Sequence, residues 1–544
     1  MNFNNTFLCA VLLSAVIVAR AGIMNPIPGD PVTIDAGRVS GTLLDSGARA
    51  YFGIPFAAPP VRELRWHAPM PVNTWKGILN ADTQRTGCIV AGALPSPTSG
   101  AYADTMGEDC LYLNLWVPAA ARPGSRLPVV AWIHGGGFAN SMANEPVWGG
   151  QELVKKGVIY LTIEYRSNIF GFLAHPEMTK ESGVHASGNW GLLDQVAALK
   201  WVHRNITAFG GDPANVTIVG ESAGSMSVSD LQVSPLAKGL FARAIGMSGT
   251  FMTTGGEPHV SLEEAETMGL RLQEAMKAAD LAGMRAISWE TVRSTAQQAD
   301  VRAWPAIDGY FMPDLPENIF SAKKQIDVQV LSTGTANDLG SNAAMGRVKT
   351  LEEYKQLAAQ QYGASAAEFL RVWPATSDTE AAKQGYEVMT STGFGIAARD
   401  WAQRQAVNGK QPAYLGLIAR IQPAAPGAPN PPTTACHACD ITYWFGTLDV
   451  ANRWRPTRDW TAWDRKLSDI MQNVIVAFAA TGNPSTPEVK FPKYDPANEQ
   501  RVVFGDTITV EKLNTPGLDF LQAHPIQGRR GGGRGPGNGG RGPN

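Results

Sequence analysis

Charge is what this chain has least of. Asp, Glu, Lys and Arg make up 17% of its 544 residues, against the roughly one quarter usual in globular domains. They also nearly cancel, leaving a formal net charge of −2. A surface of that kind gives no broad attraction to nucleic acid or to an anionic membrane, which leaves a neutral small molecule as the expected partner. Long apolar runs are scarce as well. The continuous one, Phe7 to Val18, is shorter than the roughly 20 residues a spanning helix needs. It ends in Ala19-Arg20-Ala21, a small-x-small cleavage pattern, so residues 1–21 are expected to be a signal peptide, without basic residues at its start, and the protein to be secreted or periplasmic. Internal repeats are absent too, which excludes a solenoid.

Cysteine is the other scarcity, at five. Cys9 leaves with the leader, and Cys88, Cys110, Cys436 and Cys439 remain. An even set in an oxidising compartment points to disulfides; three pairings are possible, and proximity in sequence favours Cys88 with Cys110 and Cys436 with Cys439. A zinc site would need a histidine-rich stretch or a second close cysteine pair, and neither is present. The last residues, 527–544, are one Gln followed by Gly, Arg, Pro and Asn, with hardly an apolar side chain, so they are expected to be a disordered tail. Four arginines without an aromatic partner do not make a nucleic-acid site. The folded unit is expected over 22–526, as one domain.

What is abundant is β-branched runs alternating with helical patterns. "LPVVAWIHGGG", "GVIYLTIEYR", "NVTIVGES", "RAIGMSG", "IDVQVLSTGT" and "PAYLGLIAR" have the composition of buried strands. Between them "GLLDQVAALKWVHRNITAF" repeats apolar residues at Leu192, Val196, Leu199 and Val202, the helical period. Strands separated by helices imply an α/β fold with a central, mostly parallel sheet covered on both faces.

The segment "IVGESAGSMSV" runs such a strand into Gly-Glu-Ser-Ala-Gly and then into small residues that can open a helix. A sharp strand-to-helix turn needs small neighbours, supplied by Gly220 and Gly224, and it holds the hydroxyl of Ser222 exposed at its apex. A serine there needs a base to take its proton, a carboxylate to orient the base, and donors for the oxyanion. "WIHGGGFAN" offers the donors, because glycines after a strand let backbone N–H groups approach a substrate closely.

With these motifs the chain resembles the type B carboxylesterases, the group of cholinesterases and liver carboxylesterases, within the α/β-hydrolase fold. The resemblance spans nearly all of the mature chain, through "GIPFAAPPVRELRWHAP", "GEDCLYLNLWVP", "WIHGGGF", "EYRSNIFGFLA", "GNWGLLDQVAALKWVHRNITAFGGDPANVTIVGESAG" and "HACDITYWFG". It implies a serine carboxylic-ester hydrolase working through an acyl-enzyme on a small or medium-sized ester, with no metal or organic cofactor. Lipases, amidases and non-catalytic binding proteins share this fold. Ser222 matches the nucleophile, His437 the base, and Gly136, Gly137 and Ala223 the oxyanion donors. Cys88 and Cys110 match the family's N-terminal disulfide, and Arg65 with Glu108 an internal ion pair.

The acid is less direct. Against cholinesterases "TANDLG" puts Leu339 in the place of the glutamate; against liver enzymes it aligns Asp338. A leucine cannot orient an imidazole, so Asp338 is expected to be the acid, with Asp440 as the substitute and a helix N-cap as the structural alternative for Asp338. The order Ser222, Asp338, His437 is also that of the fold. The Cys436–Cys439 bracket around the base departs from the family pattern and is expected to be a small-loop disulfide. His67, His175, His185, His203, His259 and His524 lack motif context, and the tryptophans at 444, 454, 460 and 463 suit core packing.

Overall fold

In the computed structural model the described residues are 23, 25–92, 106–251, 259–428, 431–453 and 457–525. Residues 1–21, expected to be a signal peptide, residues 527–544, expected to be a tail, and Trp454 fall outside them. Eleven strands form the central sheet: β1 (Thr42–Leu43), β2 (Arg49–Pro55), β3 (Tyr112–Val117), β4 (Leu127–Ile133), β5 (Ile159–Ile163), β6 (Gly211–Glu221), β7 (Arg243–Met247), β8 (Gln329–Thr335), β9 (Ala413–Ile418), β10 (Gln500–Phe504) and β11 (Ile508–Lys512). Their spatial order is β11-β10-β9-β8-β7-β6-β4-β5-β3-β2-β1. The seven from β5 to β10 are mutually parallel, and antiparallel pairings close both edges. All six segments read as strands belong to the parallel run.

Alternation along the strands divides the core. In β4, Val129, Ala131 and Ile133 point into one apolar layer while Val130 and Trp132 point into the other, the period-two geometry of a strand buried on both faces. Helices α1 (Trp190–Asn205), α2 (Ala223–Val233) and α3 (Phe394–Asn408) cover the first layer. Helices α4 (Ile441–Phe445) and α5 (Ala462–Thr481) cover the second. The helical stripe read from the sequence is α1, whose Leu192, Val196, Leu199 and Val202 are buried. Trp444 lies in the second layer with Trp460 and Trp463 packed on it, as core residues. No helix among the described residues is long and apolar enough to cross a membrane.

Candidate active site

The site grows from the carboxyl ends of three parallel strands. At the end of β6 the chain turns through Ser222, with φ 56° and ψ −125°, and α2 begins at the next residue. The turn is tight enough to dictate its neighbours: a Cβ on Gly220 would lie 2.2 Å from the Gly224 carbonyl oxygen, and one on Gly224 2.1 Å from that of Ile133. Only glycine fits at either position. The Ser222 N–H donates to Met247 O across β7 (2.8 Å), which anchors the apex to the sheet.

The loop after β4 carries the glycines. Gly136 and Gly137 have φ of 91° and 62°, a region that disfavours side chains. The loop packs directly on the turn, since a Cβ on Gly135 would sit 2.6 Å from Glu221 O and 3.0 Å from the Ser222 Cβ. A Cβ on Gly137 would meet nothing within 4 Å, so this glycine borders open space. Ala223 is the first residue of α2, and its N–H therefore has no intrahelical acceptor. Gly136 and Gly137 thus lie on the loop whose Gly135 packs on the serine turn, and Ala223 follows Ser222 directly.

Asp338 follows β8. Its carboxylate accepts hydrogen bonds from the N–H groups of Thr335 (3.0 Å) and Leu339 (2.9 Å), and it caps no helix. His437 arrives from the loop before α4, held to the Asp338 loop where Asn337 N–H donates to Ala435 O (2.9 Å). Its Nδ1 donates to Asp338 Oδ1 at 2.6 Å, and its Nε2 stands 2.9 Å from Ser222 Oγ. Asp440 does not reach the ring's Nδ1; its Oδ2 accepts the indole N–H of Trp444 instead (2.9 Å). Ser222 and Asp338 are buried, while the His437 side chain keeps one fifth of its surface exposed.

Cys88–Cys110 and Cys436–Cys439 are both disulfide-bonded, the pairing that proximity favours. Arg65 chelates Glu108 with bonds of 2.5 and 2.7 Å, and its guanidinium also reaches Ile287 O. His175 is buried against Gln273 and His259 against Asp230, as packing residues.

Two residues near His437 were passed over in the sequence. Glu221, inside the Gly-Glu-Ser-Ala-Gly signature, is buried with Oε1 3.2 Å from His437 Nε2. Burial, opposed by the nearby His437, pushes its pKa up to about 8. The ring of Phe394, the first residue of α3, lies 5.7 Å from the His437 ring. For His437 burial works against the imidazolium; the Asp338 hydrogen bond and the charges of Glu221, Asp338 and Asp440 outweigh it and raise the pKa to about 9.

A sheet of this order, with a serine turn after one strand and a histidine–aspartate pair delivered by later loops, defines an α/β-hydrolase. Residues 29–521 match the carboxylesterase family. The fumonisin B1 esterase of Sphingopyxis macrogoltabida is 38% identical over 349 residues, which is 63% of this chain and 63% of that one, just under two thirds of its length. The para-nitrobenzyl esterase of Bacillus subtilis (strain 168) is 34% identical over 498 residues, 88% of this chain and 96% of its own. A solved PNB esterase superposes with a TM-score of 0.73 at 29% identity, covering 89% of this chain and 97% of that structure. The chain belongs to the carboxylesterase family, and its enzyme class is that of the family, the carboxylic ester hydrolases.

Proposed function

We propose that Ser222, His437 and Asp338 are the catalytic triad of a secreted or periplasmic carboxylesterase that acts on small or medium-sized esters. The observation that carries this is the unbroken line from Asp338 Oδ1 through His437 to Ser222 Oγ. His437 Nε2 takes the Ser222 proton as Oγ attacks the ester carbonyl, and the N–H groups of Gly136, Gly137 and Ala223 stabilise the oxyanion. The imidazolium then protonates the departing alkoxide, leaving an acyl-serine and a free alcohol. Water, deprotonated by the same ring, attacks the acyl-serine; the acid leaves, and Ser222 regains its proton. The relatives named for ester substrates, including fumonisin B1 esterase and para-nitrobenzyl esterase, support the substrate class. The signal-like N-terminus and two disulfides support export to an oxidising compartment.

The test is hydrolysis of p-nitrophenyl esters from acetate to decanoate by the mature protein, with Ser222→Ala and Asp338→Asn alongside. Ser222→Ala is expected to leave only a residual rate, and Asp338→Asn to lower kcat by about 10⁴-fold. The chain-length profile separates an esterase from a lipase. Full activity in Ser222→Ala, or absence of both turnover and fluorophosphonate labelling in the wild type, would overturn the proposal and favour a binding role.

A further inference from the structure

Two buried glutamates that the proposed ester chemistry leaves unused stand behind the glycine loop. A Cβ on Gly136 would lie 2.6 Å from the Ser141 Cβ, so the backbone of this glycine rests on Ser141. Ser141 Oγ donates to Glu145 Oε1 at 2.8 Å. Glu164, directly after β5, accepts from Ala143 N–H through Oε2 (2.7 Å) and from Cys88 N–H through Oε1 (3.2 Å). The Gly136 carbonyl in turn accepts from Ala139 and Asn140 N–H. The segment that presents Gly136 and Gly137 is therefore tied at Ser141 and Ala143 to two carboxyl groups, which are 8% and 4% exposed.

Neither carboxyl has, among the described residues, a cation that neutralises it. Among the described residues, the basic group within 4 Å of either is His134, with Nε2 3.7 Å from Glu164 Oε1. Burial lowers that ring's pKa to about 4, and it stacks on Tyr165 as a neutral imidazole. Arg166 is chelated by Asp194, and Arg65, which borders the same small cavity as Cys88, by Glu108. On the opposite side of the glycine loop Glu221 backs onto Gly135, and on the solvent side Asn144 and Pro146 border a groove with Asp82, Arg85, Glu152, Asp449 and Arg453. Burial pushes Glu145 up to about 7 and Glu164 up to about 8, and an ionised Glu145 further opposes charge on Glu164.

We propose that Glu145 and Glu164 are positioning residues for the oxyanion loop, which in their uncharged form hold Ser141 and Ala143, and through them Gly136, against the serine turn. This rests on the triad reading above. As pH rises both groups ionise in one buried space where the described residues offer no counter-charge. Ionisation strengthens each carboxylate's own hydrogen bonds, but the mutual repulsion of the two charges and the cost of burying them outweigh that gain. The loop then loosens and the donors leave their line with Ser222, so kcat falls on the alkaline side while KM changes little.

The experiment measures kcat and KM from about pH 6 to about pH 10 for the wild type, Glu145→Ala, Glu145→Gln and Glu164→Gln, with fluorophosphonate labelling of each and of Ser222→Ala. Glu145→Ala is expected to lower kcat by about tenfold with KM within about twofold. The conservative Glu145→Gln keeps an acceptor for Ser141 and cannot ionise, so it is expected to restore the rate near neutrality and to hold it further into the alkaline range than the wild type; Glu164→Gln is expected to extend it likewise. An alkaline limb that stays in place in both Gln variants overturns the proposal, even where Glu145→Ala fails to fold. Labelling of the wild type that does not depend on Ser222 would instead remove the triad reading, so the two failures are told apart.

Discussion

The carbonyl oxygen of Leu339 lies 2.1 Å from where a Cβ on Gly393 would stand. The start of α3 therefore closes directly on the loop that carries Asp338, and Phe394 N–H donates to the same carbonyl (3.0 Å). Gly393 also has φ 58°, so a side chain is unwelcome on two counts. Gly393→Ala is expected to cost about 1–3 kcal/mol of stability. By shifting the acid loop it is also expected to lower kcat at least about tenfold, because small misplacements of a catalytic group are costly. Thermal unfolding together with kcat checks this; an unchanged kcat means that the acid loop holds its place without α3.

The pH dependence follows from the charges around His437. The ring works as a base only when neutral, and its raised pKa keeps it protonated to higher pH. The rising limb of kcat/KM is therefore expected to lie above the ordinary imidazole range, and to be cut short where ionisation of Glu145 and Glu164 turns the profile down. Replacing Glu221 by Gln removes one anion that favours the imidazolium, so the ring gives up its proton at lower pH. The rising limb of Glu221→Gln should move to lower pH by about one unit. A limb that moves to higher pH, or does not move, contradicts this account of the ring.

The two disulfides are expected to do different work. Cys88–Cys110 spans 22 positions and Cys436–Cys439 only 3. Chain entropy gives the longer loop about 3 kcal/mol of stabilisation and the shorter about 2. Yet the shorter encloses His437 and Ala438, a non-glycine residue at φ 61°, and Cys436 is bridged to Asn337 beside the acid. The Cys436→Ser/Cys439→Ser pair should therefore lose more rate and less thermal stability than the Cys88→Ser/Cys110→Ser pair. Ellman titration of the unfolded mature protein should find no free thiol. Equal kcat in the Cys436/Cys439 pair and the wild type would show that the bracket is not needed to place the base.

Much of this molecule was legible in its sequence because the signals are local. Six buried strands, the α1 stripe and the serine turn between Gly220 and Gly224 each lie within a dozen or so residues, where periodicity and steric need act directly. The partnership of the acid and base does not. Asp338 and His437 are 99 residues apart and Ser222 and His437 215, so choosing Asp338 over Asp440 took a family resemblance. In the structure His437 Nδ1 meets Asp338 Oδ1, while Asp440 Oδ2 accepts from Trp444. Glu145, Glu164 and Glu221 look like ordinary surface acids in the sequence. Their burial arises only when β4, β5 and β6 lie side by side and close over them. Gly393 gives no hint of Leu339 for the same reason.

The backbone of Ser222 has a consequence for the history of such a chain. A φ of 56° is where glycine sits with ease and serine does not, a penalty of about 1–3 kcal/mol. Every folded copy bears that penalty, which the proposed role of Ser222 as nucleophile would account for. In a duplicate released from catalysis, Ser222→Gly would relax the turn and leave the sheet and both core layers intact. On the triad proposed above, the fold therefore contains its own downhill route from enzyme to inert scaffold, one codon wide.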